Sequence, residues 1–578
     1  MAKRNYLKRA GFLLMALLVA SSVLAGCAQN TDQSQTNESP GASNPSSPNQ
    51  GSSGNNEATG TAANVNPPGV FPICKEPITI KVGTPQNSNV ENYETNKLTL
   101  WYQEKGNFTL EFIYFPTNSA EAQQKLDVMI ASGSELPEVL IGFAGTISEE
   151  TLLRYGMEGV AIPLNDYYDN WAFHINEAFE QLNNKDMKKW LTSADGNIYY
   201  IPKGNEQIGN MYSLRSFINK NWLDNLGLAI PTTTAEFKDV MLQCLNGDAN
   251  GNGLKDEVGF VGNPNGWRAN PSDFFMNAFI YNDANNRLIP VNGQLIPAYT
   301  QPEWREGLRY LNDLVQNGII LPQAFTMDDD QIRQMCESGD DSIVGGMVGS
   351  FAAAFGATNE RKLEYSPIPP LTGPNGVGYA AFFPDNPQRN FIITKDAKNP
   401  EAIFRLGDLM CSEEGYMRTR WGEPEVDWIK PGPNDTSPLE SIGIKPSIIP
   451  ILPWGSLNNA HWSFSTAGMI PLGVADGQVP PADDPLYVER WTAAAVLLYV
   501  GKEPDNRADL FKYTLDEAEQ MIELRGTINS YVKESMALFA VGDRDIENDW
   551  DKYLKELENM GLSKYLELSQ AGYDRAKG

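Results

Sequence analysis

The chain has only two histidines, His174 and His461, among 578 residues. A zinc centre or a serine–histidine dyad has little to draw on. Cysteine is also scarce: apart from Cys27 there are Cys74, Cys244, Cys336 and Cys411, far apart and never in CxxC spacing. That pattern shows no zinc or redox motif and leaves buried thiols, or one or two disulfides, as the alternatives. Neither a P-loop nor a G-x-S-x-G elbow occurs. Beyond the amino terminus no window offers the roughly 18 uninterrupted apolar residues of a spanning helix. Positive charge is short as well, since 45 Lys and Arg against 73 Asp and Glu give −28. Nucleic acid and anionic membrane surfaces are therefore poor partners.

The amino terminus does carry an apolar run. Lys3, Arg4, Lys8 and Arg9 precede a stretch from Phe12 to Val23, the basic and hydrophobic regions of a secretory signal. It closes on Leu24-Ala25-Gly26-Cys27, which resembles the bacterial lipobox. That resemblance implies cleavage after residue 26 and a diacylglyceryl group on Cys27; an ordinary signal peptide or an uncleaved anchor is the alternative. Residues 28 to about 66 are Ser, Asn, Gln, Gly, Thr and Pro with almost nothing apolar. Such a composition does not bury enough surface to offset the entropy of ordering, so 27–70 reads as a lipidated, disordered tether.

About 510 residues remain, enough for two or three domains. Pro77-Ile78-Thr79-Ile80-Lys81-Val82 and Phe108-Thr109-Leu110-Glu111-Phe112-Ile113-Tyr114-Phe115 read as strands. Ala122, Leu126, Met129 and Ile130 follow helical spacing, Gly133 supplies a stop, and Val139-Leu140-Ile141 is a buried strand. Strand, helix, strand argues a parallel α/β sheet. Thr233 and Glu236 form a capping box before Phe237, Val240, Met241 and Leu245. Trp304, Leu308, Leu311 and Val315 mark another helix ended by Gly318. A third starts on Asn399 as cap and Pro400 and stops by Gly415.

The succession Ala131-Ser132-Gly133-Ser134-Glu135-Leu136-Pro137-Glu138-Val139, Asp195-Gly196-Asn197-Ile198-Tyr199-Tyr200-Ile201-Pro202, Lys220-Asn221-Trp222-Leu223-Asp224-Asn225-Leu226-Gly227-Leu228, Pro231-Thr232-Thr233, Asn399-Pro400-Glu401-Ala402 and Ser412-Glu413-Glu414-Gly415 resembles family 1 extracellular solute-binding proteins. The resemblance runs from about Pro77 to Arg575 and is nearest to the large lipoproteins similar to alginate- and oligosaccharide-binding proteins. It implies a two-lobed α/β fold of the periplasmic-binding-protein type II class, with ligand in an interlobe cleft. The first lobe is expected to hold 71–205 and 379–435, the second 206–378 and 436–578, with crossings near 201–214, 378–383 and 428–450. It also implies a monomeric, non-enzymatic capture subunit of an ABC importer, lipid-anchored outside the cell membrane, that closes on a carbohydrate and presents it to transmembrane permease subunits.

The sharpest local motif is the loop Asp248-Ala249-Asn250-Gly251-Asn252-Gly253-Leu254-Lys255-Asp256-Glu257. Oxygen side chains at positions one, three and five, a turn glycine, the Leu254 carbonyl and two closing carboxylates would wrap Ca²⁺. The usual twelfth-position glutamate is Gly259 here and the following segment looks extended, so Glu257 closes a helix-loop-strand site, as the resemblance also implies. An acidic Asn/Gly turn is the alternative. For sugar contacts, indole and phenol rings stack on apolar sugar faces while polar rims hold hydroxyls. The candidates are Trp267 and Arg268, Trp421 with Glu423, Trp454 with Asn458 and Trp462, and Tyr199, Tyr212 and Tyr379 near the crossings; core packing is the alternative for each tryptophan. Trp101, Trp190, Trp222, Trp304 and Trp550 sit in framework patterns. Glycosidases also use aromatic clefts, but no carboxylate pair is marked out. A secreted carbohydrate-active enzyme or a calcium-stabilised surface module are the other functions the chain suits. The acidic surface disfavours a polyanionic ligand unless the cleft is locally basic, so neutral or mixed plant-derived oligosaccharides are expected.

Overall fold

The computed structural model describes residues 60–577 apart from Asn183, Asn184, Asp186, Ala357, Trp454 and Asp483. The signal segment, Cys27 and most of the expected tether lie outside the described residues. Residues 60–70 do not fit the tether expectation. A short helix at Gly60–Asn64 leads to buried Val65. Asn64 donates through Nδ2 to the Glu76 carbonyl, and fully buried Arg405 donates to the Asn66 and Pro67 carbonyls. These polar anchors fix a segment whose apolar content alone predicts disorder.

Among the described residues fourteen strands build two sheets and two ribbons. They are β1 (Ile78–Pro85), β2 (Phe108–Phe115), β3 (Val139–Ile141), β4 (Ile201–Asn205), β5 (Ser216–Asn219), β6 (Val258–Val261) and β7 (Leu288–Val291). After them come β8 (Gln294–Pro297), β9 (Val344–Val348), β10 (Tyr365–Ile368), β11 (Gln388–Ile393), β12 (Trp428–Ile429), β13 (Ile449–Pro450) and β14 (Gly468–Ile470). The first sheet has the order β14-β4-β11-β3-β1-β2 and the second β10-β5-β9-β6. β1 runs parallel to β2 from Ile78↔Phe108 to Pro85↔Phe115. Alternation explains the placement: Ile80 and Val82 enter the core, while Lys81 turns out to pair with Glu135. The capping box also forms, with Thr233 Oγ1 accepting the Glu236 N–H at 3.1 Å and Glu236 Oε2 accepting the Thr233 N–H at 3.2 Å. Such a cap stabilises a helix by about 1 kcal/mol.

The chain leaves the first sheet after β4 and enters the second at β5, so the first crossing spans 206–215. It returns between β10 and β11, through 369–387. The third crossing differs from its expected place. Residues 428–450 form the β12–β13 ribbon, and Trp428 and Ile448 pack with Ile470 of β14. β14 itself pairs with β4. The chain after 436 therefore stays with the first lobe through Ile470 and crosses only before the helix Glu489–Tyr499. That helix docks on β10, Trp491 Nε1 donating to the Tyr365 carbonyl and Tyr499 OH to the Ile368 carbonyl. Sheet pairing at residues 468–470 is non-local, and periodicity carries no sign of it. The helix at Pro400–Met410 likewise stops earlier than expected. Asn399 makes no side-chain cap, and Gly415 belongs to the next helix, Glu413–Trp421, capped by Ser412.

Cys74, Cys244, Cys336 and Cys411 are all buried free thiols. The long helix Leu515–Val541 packs on Pro302–Gln316, and its Arg525 pairs with buried Glu150 of the first lobe. Among the described residues no helix is long and apolar enough to cross a membrane.

Candidate functional site: the interlobe cleft and the 248–257 loop

A cavity of 410 Å³ opens between the two sheets. β4 supplies Lys203 and Asn205, the first crossing supplies Gln207, Asn210 and Arg215, and the second supplies Asp385. Arg420 and Phe464 complete the first-lobe wall. The opposite wall is Phe217, Trp267, Phe351, Glu489 and Trp491.

The aromatic wall is braced from behind. Phe351 stacks on Trp491 with centroids 5.2 Å apart and planes at 18°, and Phe217 meets Phe351 edge-on at 4.3 Å. Trp267 is different: it is 56% exposed, on the loop that follows β6. The loop is held beneath it. Arg268, in the left-handed region at φ 54°, lays its guanidinium 3.4 Å from the centroid of Phe383 in the second crossing and donates to Asn285 Oδ1 at 3.0 Å. A large apolar ring face is thus presented from a fixed base.

The polar wall is a hydrogen-bonded network. Gln207 Oε1 accepts from Asn205 Nδ2 at 3.0 Å and from Arg420 Nη2 at 3.3 Å. Arg215 donates to the Gly209 carbonyl, and Asp476 accepts the Ile208 and Gly209 N–H groups at 2.8 and 3.1 Å. Asp385 accepts the Asn205 N–H. Burial, reinforced by Arg420, lowers Lys203 to about 8. Burial pushes Asp385 up to about 7 and raises Glu489 as well. Amides and charged groups opposite flat aromatic faces suit a ligand with many hydroxyls and apolar ring faces.

Of the residues expected in this cleft, the cavity gathers Trp267, with Arg268 as its support. The others lie elsewhere. Trp462 is 0% exposed in the first-lobe core, its Nε1 donating to Thr99 Oγ1 at 2.9 Å among Tyr93, Tyr102 and Phe112. Tyr199 is buried in the same core and donates to Asp195 Oδ2 at 2.6 Å. Tyr212 packs on Phe382 and donates to Glu503 Oε2 at 2.6 Å. Tyr379 meets Tyr281 edge-on outside the cavity. Trp421 is buried one residue behind Arg420, with Nε1 toward Gln478 Oε1 at 3.3 Å, and Glu423 faces Lys97 at 3.4 Å. Asn458 Oδ1 accepts the Ala460 and His461 N–H groups, a turn-forming role. Trp454 is outside the described residues. The cleft residues that sequence reasoning missed are chiefly Lys203, Gln207, Asn210, Arg215, Arg420 and Trp491. A signal existed for some of them, because Gln207, Asn210 and Arg215 fall in and next to the expected crossing 201–214.

The second site is local. Gly251 and Gly253 sit at φ 75° and 77°, turns that a side chain would strain. They curl the loop so that Asp248 Oδ2 accepts the Gly253 N–H at 3.0 Å, Asn250 Oδ1 the Asn252 N–H at 3.2 Å, and Asn252 Oδ1 the Leu254 N–H at 2.8 Å. Asp256 accepts from the Asn250 and Asn252 amides at 2.9 and 3.2 Å. Glu257 Oε1 accepts the Ala249 N–H at 2.8 Å, while its Oε2 is buried with no hydrogen-bond partner. β6 begins at once, the Val258 N–H donating to the Ile343 carbonyl at 2.7 Å, so the loop joins helix to strand as expected. Among the described residues no three acidic, thiol or imidazole groups converge tightly enough to hold a metal alone. The loop's donor set includes amide and backbone oxygens besides its carboxylates.

The fructooligosaccharide ABC transporter substrate-binding protein FusA of Streptococcus pneumoniae is 26% identical over 530 residues, covering 87% of this chain and 91% of that protein. The structure of an EF-hand mutant of S. pneumoniae FusA with fructo-nystose superposes with a TM-score of 0.69 at 22% identity, covering 86% of this chain and 99% of that one. The alginate-binding protein AlgQ2 without calcium ion gives a TM-score of 0.63 at 19% identity, covering 88% and 100%. Both neighbours support the two-lobed fold. Residues 88–417 match the family directly, and the chain belongs to the bacterial extracellular solute-binding proteins, which bind their solutes and do not transform them.

Proposed function

We propose that this protein captures an oligosaccharide between its lobes and delivers it to the permease of an ABC importer. The observation that carries the reading is the cavity itself. Stacked aromatic faces on one wall oppose amide and charged side chains on the other, and each lobe contributes one wall. A ligand touching both walls stabilises the closed arrangement, the form that a membrane partner reads. The sugar named for FusA supports the carbohydrate class. Small-angle scattering of the monomer with and without a tight sugar measures closure directly. A thermal-shift screen of oligosaccharides at constant calcium tests the reading, since a ligand specific to the folded state raises its melting temperature. No shift across neutral and acidic glycans would overturn it.

The 248–257 loop is the calcium site of this reading. Asp248, Asn250, Asn252, Asp256 and Glu257 with the Leu254 carbonyl are its ligands, and the unpartnered buried Oε2 of Glu257 fits a cation contact. The ion would tie the helix Thr234–Asn246 to β6. The EF-hand that S. pneumoniae FusA carries supports it. Cys27 is the lipid anchor on the outer face of the membrane. Cys27→Ser should release the protein from sedimented membranes, and a mutant that still sediments would refute the anchor.

A further inference from the structure

Resting on the reading of the cavity as a carbohydrate cleft, we propose that the cleft continues along one edge of the first sheet into a second sugar pocket at residues 86–94, and that its ligand is a neutral oligosaccharide long enough to fill both. The second pocket has a volume of 420 Å³ and is lined by Gln86, Asn87, Ser88, Asn92 and Thr117 beside the Tyr114 ring. Its place follows from strand direction. β1 runs parallel to β2 and β3, β14 runs parallel to β4, and β11 is antiparallel to both β3 and β4. The carboxyl ends of β1, β2, β3, β4 and β14 therefore share one edge, the edge at which open α/β sheets bind ligands. The main cavity lies there at Asn205, the end of β4. Gln86 follows Pro85 at the end of β1, and Thr117 stands just beyond Phe115 at the end of β2. Three strand spacings separate β4 from β1 and four separate it from β2, about 14–19 Å.

One chain segment joins the two pockets. The Asn458 N–H donates to the Asn89 carbonyl and the Glu91 N–H to the Asn458 carbonyl, both at 2.9 Å, so the segment starts on the turn that forms the second pocket. It ends on Phe464 in the main cavity. Fully extended, that stretch reaches about 22 Å at most, in agreement with the strand spacing. Ser463 and Phe464 sit at φ 49° and 56°, a left-handed conformation that non-glycine residues keep only where their surroundings impose it. The second pocket has the chemistry of a sugar subsite. Tyr114 OH donates to Glu94 Oε1 at 2.7 Å and its ring stacks on Phe112 with planes at 12°, which fixes the ring. Asn87 and Asn92 use their Oδ1 atoms in the turn, accepting the Asn89 N–H at 2.9 Å and the Thr95 N–H at 2.8 Å. Their Nδ2 donors are left for hydroxyls. The lining carboxylates are Glu91 and Glu94, with no lysine or arginine beside them, so neutral units suit the pocket better than acidic ones. At about 5 Å per sugar unit, a chain of about four or more units spans the distance between the pockets.

The test is calorimetric titration with neutral cello-, malto- and inulin-type fructo-oligosaccharides from dimer to octamer, at constant calcium. In a series that binds, the hexamer should bind about tenfold or more tightly than the trimer. Amide hydrogen exchange at 86–94 should slow with the hexamer and not with the trimer. Ser88→Arg puts a long side chain at an exposed position of the second pocket, and should bring the hexamer and trimer affinities to within about threefold of each other. Equal trimer and hexamer affinities in the wild type would overturn the proposal and leave the carbohydrate reading standing. A length gain that survives Ser88→Arg would also overturn it, because the extra units would then lie within the main cavity. Should that variant fail to fold, hydrogen exchange on the wild type decides, and absence of hexamer protection at 86–94 overturns the second pocket. Failure of every sugar here and in the thermal-shift screen would remove the carbohydrate reading and this proposal with it.

Discussion

The 248–257 loop and the interlobe cavity are both polar sites, assembled in opposite ways. The loop takes its proposed donors from consecutive residues, and two glycines at φ 75° and 77° set its path. The cavity takes its walls from two strands of different sheets, two crossings, the Trp267, Phe351, Arg420 and Phe464 segments and the helix Glu489–Tyr499. A change inside the loop should therefore stay inside the loop. The cavity should feel changes in cores that never touch a ligand.

The largest expected effect tests that second half. Trp462→Ala empties a fully buried indole site two residues before Phe464. It should cost about 3–5 kcal/mol of stability in denaturant unfolding and also weaken sugar binding, with the calcium response intact. An unchanged stability would take Trp462 out of the core.

Calcium comes next. EDTA should lower the melting temperature and Ca²⁺ restore it better than Mg²⁺, by about 2.7 kcal/mol at 100 times its dissociation constant. Asp248→Ala should ignore both, and its sugar affinity should match the wild type. A large loss of sugar binding in that variant would show the two sites to be coupled after all.

Trp267→Ala reverses the pattern of Trp462. It should cost about 1–3 kcal/mol of sugar affinity and leave the melting temperature unchanged, because the ring is already 56% exposed. Unaltered affinity in calorimetry would remove it from the cleft.

The smallest effect is a pH dependence. Burial lowers His461 to about 4, and its Nδ1 accepts the Ser463 N–H at 3.0 Å. The unfolded chain takes up that proton first as pH falls. The stability from neutral His461 is therefore complete above about 6.5 and lost as pH drops through 4. His461→Gln should show a shallower loss between pH 7 and 4.5. Parallel melting curves would contradict it.

The same contrast explains what the sequence disclosed. The capping box at Thr233, the strands at 78–85 and 108–115, and the curl of the 248–257 loop depend on neighbours a few residues away, so spacing reveals them. Trp462 and Trp267 look alike in sequence, both beside polar residues in irregular segments. Only the long-range contact of Trp462 with Thr99 and Tyr102 makes it core. Lys203 sits in a short strand whose cleft-facing end is defined by β14 arriving from residue 468, a pairing that no local pattern announces. The family signatures put the first crossing near 201–214 and the sheets leave it at 206–215, but which of its side chains face inward depends on the partner lobe.

The four buried thiols have a practical consequence. Burial pushes Cys74 up to about 11 and Cys244 and Cys336 up to about 12, so near neutral pH they offer maleimides almost no thiolate. A Cys27→Ser chain is then a silent background for attaching dyes. One cysteine placed on the exposed surface of each lobe would take a donor and an acceptor fluorophore, and the distance between them could be followed in single molecules as sugar arrives and leaves.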